Sequence, residues 1–395
     1  MKAAVLLLLL PAATAWAGGF EVPEQSSVAA ATGGAGTARP DDPSAAWYNP
    51  AALADRGGWR VGLGLTLAMP TIGAKAPDGS WSAQTHDALL TPPHLYVSES
   101  WKRWAAGVAV TVPYGASVEW PGDWAGKFEI VSTELMVFRV SPFVAYRFGD
   151  VRIAVGPHVD FGRLKVARKL DFVDTTGDVD IDMNGTGFGA DIAMFVRASE
   201  TVDVGLTYKS RTALSMDGNA KFAAPPAFST KTPDQGAHAD MTLPDRIAFG
   251  TRWMATPTVA LLSDIELNLW GTYDALNIDF QNMSTPNVHQ QADWHATVAA
   301  RGGAEWHAAP DWMVRGGMFI DPTPAPDSTL APSSPDATRL GGTVGLGWRA
   351  TQKLAIDGFY EYLSLLGRDA GNQENLAARY DGHAQLFGVG LRWQE

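Results

Sequence analysis

The chain has 395 residues, a formal net charge of −12 and no cysteine, which excludes a disulfide framework. An acidic chain without basic clusters is a poor candidate for binding nucleic acid, which attracts positively charged surfaces. The length alone fits two or three soluble domains or a single large barrel.

The first 17 residues are predicted to be a secretory signal peptide. Lys2 precedes an apolar run at 3–10, and Ala15 and Ala17 form a small-x-small cleavage site. After this segment, no apolar run approaches the roughly 18 residues that a spanning helix needs. The sequence therefore predicts an exported protein that is not a helical membrane protein.

Residues 18–57 are rich in Gly, Ala, Ser, Asp and Pro and have no sustained periodicity. They are too apolar for a solvated tail. We therefore predict that they form a hatch, which is a plug inside the lumen of the barrel that follows. A disordered periplasmic tail is the alternative.

Residues 58–395 are predicted to form an all-β, 14-stranded antiparallel transmembrane β-barrel. Fourteen stretches alternate apolar and polar residues, and their connections alternate between long and short. In the first stretch, Trp59, Leu63 and Leu67 lie on one side of the strand, and Arg60 and Thr66 lie on the other. The apolar side would face lipid and the polar side the lumen, with long extracellular loops and short periplasmic turns. The predicted strands are 59–69, 93–101, 103–113, 133–148, 150–166, 184–199, 201–213, 238–254, 259–273, 289–308, 311–321, 337–350, 352–366 and 380–393.

The eighth predicted strand contains Pro244, which has no N–H to donate to a ladder. The proline therefore fits only the start of a strand or an irregularity within it.

Aromatic residues recur at the strand ends beside the short connections, on the outward side. Amphipathic rings favour the headgroup boundary, so this pattern predicts an aromatic girdle on one rim of the barrel. A soluble sandwich or propeller, which is the alternative, would scatter its aromatic residues along the strands. The residues are Trp59, Trp101, Trp104, Phe148, Trp253, Trp306, Trp312, Trp348 and Trp393.

Several motifs resemble the FadL/TodX family of outer-membrane channels for long-chain fatty acids and other hydrophobic compounds. The most specific is Asn49-Pro50-Ala51 in its Asp-rich context, and Gly19-Phe20 at the predicted mature start also matches. Weaker, collinear matches lie at 92–95, 112–115, 123–127, 243–245, 321–326 and 335–339.

The resemblance implies a 14-stranded barrel with an N-terminal hatch, and it implies a route for the ligand. Ligand would be captured in an apolar groove between the loops and would then pass to a tighter site in the barrel. A shift of the mature N-terminus would open a path to a lateral gap beside a kinked third strand. Pro113 and Gly115 interrupt that strand here and are the candidate kink.

The resemblance also implies basic groups near a fatty-acid carboxylate. Matching segments give Arg163, Lys165, His295 and Arg301 as candidates, and Phe20 as a hatch residue that touches ligand. The histidine stands where the family has a lysine, which leaves room for neutral hydrocarbons.

The strand pattern around Arg163 and Lys165 adds a condition. Both share parity with Phe161, which means that they lie on the same side of the strand as this lipid-facing residue. A bulge at Gly162 is therefore needed to turn them inward. The alternative is that they are ordinary lumen or rim charges.

Two further patterns have weak support. The run 180–191 resembles a calcium loop but lacks flanking helices, and its second half alternates like a strand. His158 and Asp160 share one face of a strand, as an outer-membrane lipase would need, but no serine is placed with them.

The sequence as a whole predicts a monomeric channel in the bacterial outer membrane for passive uptake of hydrophobic small molecules. Long-chain fatty acids are the leading substrate, and aromatic or aliphatic hydrocarbons are the alternative. An outer-membrane lipase and a water-filled porin are alternatives of other classes. We expect no catalytic residue, cofactor or metal. The expected partners are the apolar ligand, outer-membrane lipid and lipopolysaccharide, and the barrel-assembly machinery.

Overall fold

A computed structural model describes residues 18–55, 57–172, 174–229, 232–370 and 376–395. The predicted signal peptide, residues 1–17, lies outside the described residues. None of the helices within these ranges is long and apolar enough to cross a membrane.

Strands make up most of the described chain. In chain order they are β1 (Gly58–Lys75), β2 (Ser82–Gln84), β3 (Pro93–Trp101), β4 (Trp104–Glu119), β5 (Ser132–Phe148), β6 (Val151–Asp171), β7 (Thr176–Arg197), β8 (Val202–Lys209), β9 (Thr212–Ala223), β10 (Gln235–Leu243), β11 (Asp245–Thr256), β12 (Val259–Leu269), β13 (Ala275–Phe280), β14 (Val288–Gln291), β15 (Thr297–Ala309), β16 (Trp312–Asp321), β17 (Arg339–Arg349), β18 (Leu354–Ala370) and β19 (Ala378–Gln394). The helices are α1 (Ser27–Ala30) and α2 (Ala45–Tyr48), with single 3-10 turns at Pro50–Leu53 and Trp270–Thr272.

The strands form a closed antiparallel barrel, because β1 pairs with β19 as well as with β3. The barrel wall has 14 strands: β8 and β9 are two parts of one, and β10 and β11 are two parts of the next, divided at Pro244. The short strands β2, β13 and β14 lie in the long connections. The predicted closed 14-stranded barrel is confirmed, and Pro244 marks the irregularity expected in the eighth strand.

The outer surface has the predicted parity. Leu63 is 50% exposed, whereas its neighbour Arg60 is 3% exposed and faces the lumen. All nine aromatic residues of the predicted girdle are between 38% and 59% exposed. They lie beside short turns such as Gly149-Asp150, where Gly149 adopts a φ of 65° that glycine tolerates without strain.

Several strands extend further than predicted at the ends with long connections. The strand β7 begins at Thr176 rather than at 184, and here its polarity is reversed. Ile181 and Met183 are buried inside, while Asp180 and Asp182 are exposed outside. Beyond the membrane the outer face meets water, so apolar residues line the interior instead. The calcium-like run is therefore part of a strand.

Residues 18–55, called the N-terminal segment below, lie inside the barrel, and nearly all of them are buried. The segment bonds to strands on different sides of the wall. Gly33 N–H donates to Thr343 Oγ1 on β17 at 3.1 Å, and Gly36 N–H donates to Asp264 Oδ2 on β12 at 2.9 Å. Wall side chains thus satisfy these buried N–H groups of the segment.

The segment packs directly against glycines of the inner wall. A Cβ at Gly303 would lie 2.6 Å from the carbonyl oxygen of Thr32, and one at Gly250 would lie 2.7 Å from Thr37 Cβ. Because both contacts are too close for a larger side chain, these glycines let the segment lie flush with the strands.

Candidate ligand site and exit window

An apolar cavity lies at the end of the barrel that carries the long connections. Its volume is about 1280 Å³, including the part open to solvent. Phe20 from the N-terminal segment, Leu164 and Ile181 from the wall, and Trp294 and Leu330 from the connections line it. We call it the outer cavity.

Phe20 lies at the base of the outer cavity, within a cluster of aromatic rings. Its ring centroid lies 4.7 Å from that of Trp294, 5.6 Å from Tyr273 and 5.9 Å from Trp270. Gly19 has a φ of 63°, and a Cβ there would lie 2.6 Å from Trp294. The preceding glycine therefore allows the segment to place Phe20 between these rings.

A second apolar cavity, the inner cavity, lies on the other side of Phe20. It has a volume of about 990 Å³, again including open space, and Phe20 lines it as well. The strand β1 contributes Ala68, β4 contributes Ala116, and the connection before β3 contributes Leu90. Phe20 and Ser334 line both cavities, so the two apolar spaces adjoin at these residues.

The inner cavity reaches the barrel wall where the ladder between β3 and β4 ends. The strand β3 pairs with β4 only as far as Leu95 and Val110, whereas β4 continues to Glu119. On its other side, the register of β4 against β5 shifts between Thr111 and Tyr114. We call this part of the wall, between β1 and the far half of β4, the window.

The N-terminal segment takes the place of β3 along the edge of β4. Val22 N–H donates to the carbonyl of Pro113, and Gly115 N–H donates to the carbonyl of Phe20, both at 2.9 Å. The side chain of Gln25 adds a 2.7 Å bond to the carbonyl of Val112. Pro113 and Gly115 therefore lie at the irregular part of the third barrel strand, in contact with the segment that carries Phe20.

The first residues of the segment lie against a buried carboxylate. A Cβ at Gly18 would lie 2.5 Å from Asp321 Oδ2, and Asp321 is fully buried. Arg339 donates to the carbonyl oxygens of Gly19 and Glu21. These contacts hold the start of the segment in place.

Glu21 shares one arginine with another carboxylate. Its Oε1 lies 3.1 Å from Arg246 Nε, and Arg246 also pairs with Glu266. Burial raises the pKa of Glu21 to about 8, because desolvation outweighs the attraction of Arg246.

The Asn49-Pro50-Ala51 motif ties the segment to the wall. Asn49 Nδ2 donates to the carbonyl of Thr37 within the segment and to the carbonyl of Met194 on β7, each at 2.9 Å. Pro50 begins the 3-10 turn that follows. The motif therefore fixes a bend in the chain inside the lumen, and it lines neither cavity.

Ion pairs fix the segment at the end of the barrel with the short turns. Each joins a charged residue of the segment to one on the wall, at N···O distances of 3.0–3.4 Å. The pairs are Arg39–Glu305, Asp41–Arg252, Asp42–Arg392 and Asp55–Arg152. We call this network the floor.

The predicted inward turn of Arg163 and Lys165 is wrong. The register of β6 against β5 and β7 is continuous through Gly162, so there is no bulge and both residues keep the outward parity of Phe161. Arg163 pairs with Asp182, and Lys165 pairs with Glu134, on the outside of the barrel. Both carboxylates are also on the outer face.

The structure does not bring the other two basic candidates to the cavity. His295 is exposed and precedes β15, because the predicted strand 289–308 begins only at Thr297. The adjacent Trp294 lines the outer cavity instead. Arg301 faces the lumen as predicted, but it lies beneath the cavities, 3.5 Å from Asp321 Oδ2. Of the five candidates, only Phe20 lines the outer or the inner cavity.

Arg168 on β6 was missed by the sequence analysis. It lines the outer cavity and shares inward parity with Leu164 and Val166. Within the described ranges, no carboxylate lies within ion-pair distance of its guanidinium. The alternation of Leu164, Val166 and Arg168 reveals it once the apolar residues of the strand beyond the membrane are assigned to the lumen side.

His158 and Asp160, the pair considered for a lipase, are both fully buried. The two ring nitrogens of His158 bond to Asp191 and Thr212, each at 2.9 Å. Asp160 instead makes two bonds to Arg139, at 2.7 and 2.6 Å. The histidine therefore forms part of a buried polar network in the wall, and it lines neither cavity.

Comparison with known proteins gives consistent matches. A family model described as outer membrane protein transport protein (OMPP1/FadL/TodX) matches residues 8–394. A putative outer membrane protein of Neisseria meningitidis serogroup B is 21% identical, over 98% of this chain and 97% of its own.

Two solved structures are similar in fold. A Pseudomonas aeruginosa FadL homologue gives a TM-score of 0.86 at 18% identity and covers 95% of this chain and 99% of its own. The Pseudomonas putida toluene transporter TodX gives a TM-score of 0.78 at 15% identity, over 93% and 97% of the two chains.

Proposed function

The chain belongs to the outer membrane protein transport family (OMPP1/FadL/TodX), and we propose from this premise that it is an outer-membrane channel for hydrophobic small molecules. Long-chain fatty acids are the leading substrate. The observation that carries the proposal is that two apolar cavities adjoin at Phe20 and Ser334, one among the long connections and one behind a gap in the wall.

Ligand enters the outer cavity first. Apolar side chains and aromatic rings accept a hydrocarbon chain there, and burial of its surface stabilises the complex. Arg168 supplies a cation that has no ion-pair partner among the described residues, which suits a carboxylate head group. This residue favours a fatty acid over the neutral alternative.

Movement of the N-terminal segment then joins the two cavities. Phe20 withdraws from its aromatic cluster. The hydrogen bonds that the N–H of Val22 and the carbonyl of Phe20 make with β4 then break. If the signal peptide is removed after residue 17, the new α-amino group lies beside Asp321, and this ion pair holds the closed state. Ligand binding supplies the differential free energy that shifts the segment.

Release is sideways, into the bilayer. The floor ion pairs tie the segment to the wall on several sides, so the route toward the periplasm stays closed. The window opens from the inner cavity toward lipid. An apolar cargo needs protein only to cross the polar lipopolysaccharide layer, because the hydrocarbon core is its natural solvent.

A binding and uptake experiment tests the proposal. The full-length protein, reconstituted in liposomes whose outer leaflet contains lipopolysaccharide, is expected to bind oleate and to speed its entry into the membrane, with little steady ion current. Replacement of Phe20 by Trp, which adds bulk between the cavities, is expected to retain binding and slow entry. No oleate binding together with high ion conductance would contradict the proposal and favour an open porin.

Aromatic or aliphatic hydrocarbons remain the second candidate substrate. The toluene transporters TodX of Pseudomonas putida and TbuX of Ralstonia pickettii share the fold, with TM-scores of 0.78 and 0.71. Toluene and dodecane in the same assay distinguish the two: binding of these neutral compounds without binding of oleate would favour the second.

A further inference from the structure

The outer face of the barrel changes character at one height on neighbouring strands. On β6 the exposed residues change from Val155 and Phe161 to Arg163, and on β7 they change from Phe188 to Asn184. Counting from the periplasmic turns, this change lies about ten residues up each strand. At that length a tilted strand has crossed a hydrocarbon layer of about 25 Å, so the change marks the outer headgroup level.

A groove lies on the outer wall at this height. Its volume is about 1150 Å³, including its open side, and it crosses four neighbouring strands, β5, β6, β7 and β9. Phe138 and Phe161 form its apolar side, and Arg163, Asn184 and Ser215 form its polar side. Short side chains between long ones create the depression.

The guanidinium of Arg163 is oriented for a further anion. Asp182 accepts from its Nε at 3.0 Å and from its Nη2 at 2.6 Å, and the side chain remains 46% exposed. In the described part of the chain its Nη1 has no hydrogen-bond acceptor. The acidic residue at the far edge of the groove, Asp217, is itself bonded to His238 at 2.9 Å.

We propose that this groove binds one molecule of lipopolysaccharide from the outer leaflet through its phosphorylated lipid A. Acyl chains pack on Phe138 and Phe161, and a glucosamine phosphate accepts from Arg163, while Asn184 and Ser215 bond to the sugar. The complementarity is local to Arg163, since guanidinium donors match phosphate oxygens and its Nη1 is free to donate among the described residues. The proposal uses the outer-membrane location alone and does not depend on the transported cargo.

The first test measures binding of purified lipid A to the full-length protein in detergent by native mass spectrometry. The variant Arg163→Gln is expected to weaken binding about tenfold, the usual effect of losing one charge-assisted hydrogen bond. Arg379→Gln is the matched control, because Arg379 forms a similarly exposed pair with Asp369 on another part of the wall. Equal affinities for the two variants would overturn the proposal.

Two further measurements test whether the groove is the binding site and whether the phosphates of lipid A are recognised. Thr186→Trp fills the groove without changing a charge and is expected to reduce lipid A binding, while tighter or unchanged binding would overturn the proposal. Lipid A without its phosphates is expected to bind about tenfold more weakly to the unaltered protein and to lose nothing further in Arg163→Gln. Equally tight binding of phosphatidylglycerol would show a general anionic-lipid site and would also overturn the proposal.

Discussion

Arg163 and Arg168 lie five residues apart on β6 and have opposite surroundings. Arg163 faces outward and pairs with Asp182, whereas Arg168 faces the outer cavity without a partner among the described residues. The sequence predicted a basic residue of this strand at the ligand site. It did not select Arg168, which lines the outer cavity, because motif similarity does not reveal which face a residue occupies once the strand passes the membrane boundary.

The first prediction concerns Arg168. Replacing it with Leu should weaken binding of oleate by about tenfold or more, since hydrogen bonds to charged groups contribute about 1.5–3 kcal/mol. Binding of dodecane should stay unchanged, because a neutral chain makes no such bond. Isothermal titration with both ligands provides the measurement, and Arg379→Leu is the control. An equal loss for both ligands would show that Arg168 only shapes the cavity.

The second prediction concerns Glu21 and pH. Its carboxyl has a pKa of about 8 when buried in the seated segment, against 4.5 in water. With the segment in place inside the barrel, Glu21 therefore binds more protons than it does when the segment is released. The stability of this bound position should fall as the pH rises from about 4.5 to 8 and level off above. The uptake rate of a neutral hydrocarbon should rise over this range, and Glu21→Gln should reduce the slope. Burial also raises the pKa of Glu24 in the same segment, which accounts for the slope that is left. The same slope in both proteins would assign the effect to another group.

At the scale of elements, the strand count, the parity and the aromatic girdle were all predictable. Every strand that crosses the membrane must alternate apolar residues facing lipid with residues facing the lumen. The extracellular ends were not: at β7 the polarity reverses beyond the membrane, and Ile181 and Met183 face inward. The aromatic cluster around Phe20 was also missed. Trp270 and Trp294 come from one long connection, and their approach to Phe20 depends on tertiary packing.

The third prediction tests the seat of the N-terminal segment. A valine at Gly303 would collide with the backbone of Thr32, so Gly303→Val should displace the segment and destabilise the barrel by about 1–3 kcal/mol. The ion conductance of planar bilayers should rise. Gly342→Val is the control, since nothing lies within 4 Å of a Cβ at that position. Unchanged conductance for Gly303→Val would mean that the segment does not seal the lumen.

The fourth prediction concerns the third barrel strand. Deleting Pro113 removes the extra residue between Thr111 and Tyr114 and should restore a regular ladder with β5. Uptake should fall while oleate binding in the outer cavity persists. Deleting Ala308 removes the register shift near the turn of β15 and serves as the control. Normal uptake after deletion of Pro113 would show that transport does not need the register shift in this strand.

At the scale of the whole molecule, the barrel has two levels with different interiors. The level beside the short turns is filled by the N-terminal segment, which the floor ion pairs tie to the wall. The level beside the long connections surrounds apolar space, and the window lies where the two meet. This arrangement predicts a path that enters from outside and leaves through the side of the wall.

Photolabelling with a diazirine fatty acid tests that path most directly. Cells that produce the protein are supplied with the probe, irradiated, and the labelled peptides are identified by mass spectrometry. We expect labels on residues that line the inner cavity and window, such as Leu90 and Ala116. Labels on Asp55 and Arg152 at the floor, with none at the window, would contradict a sideways exit.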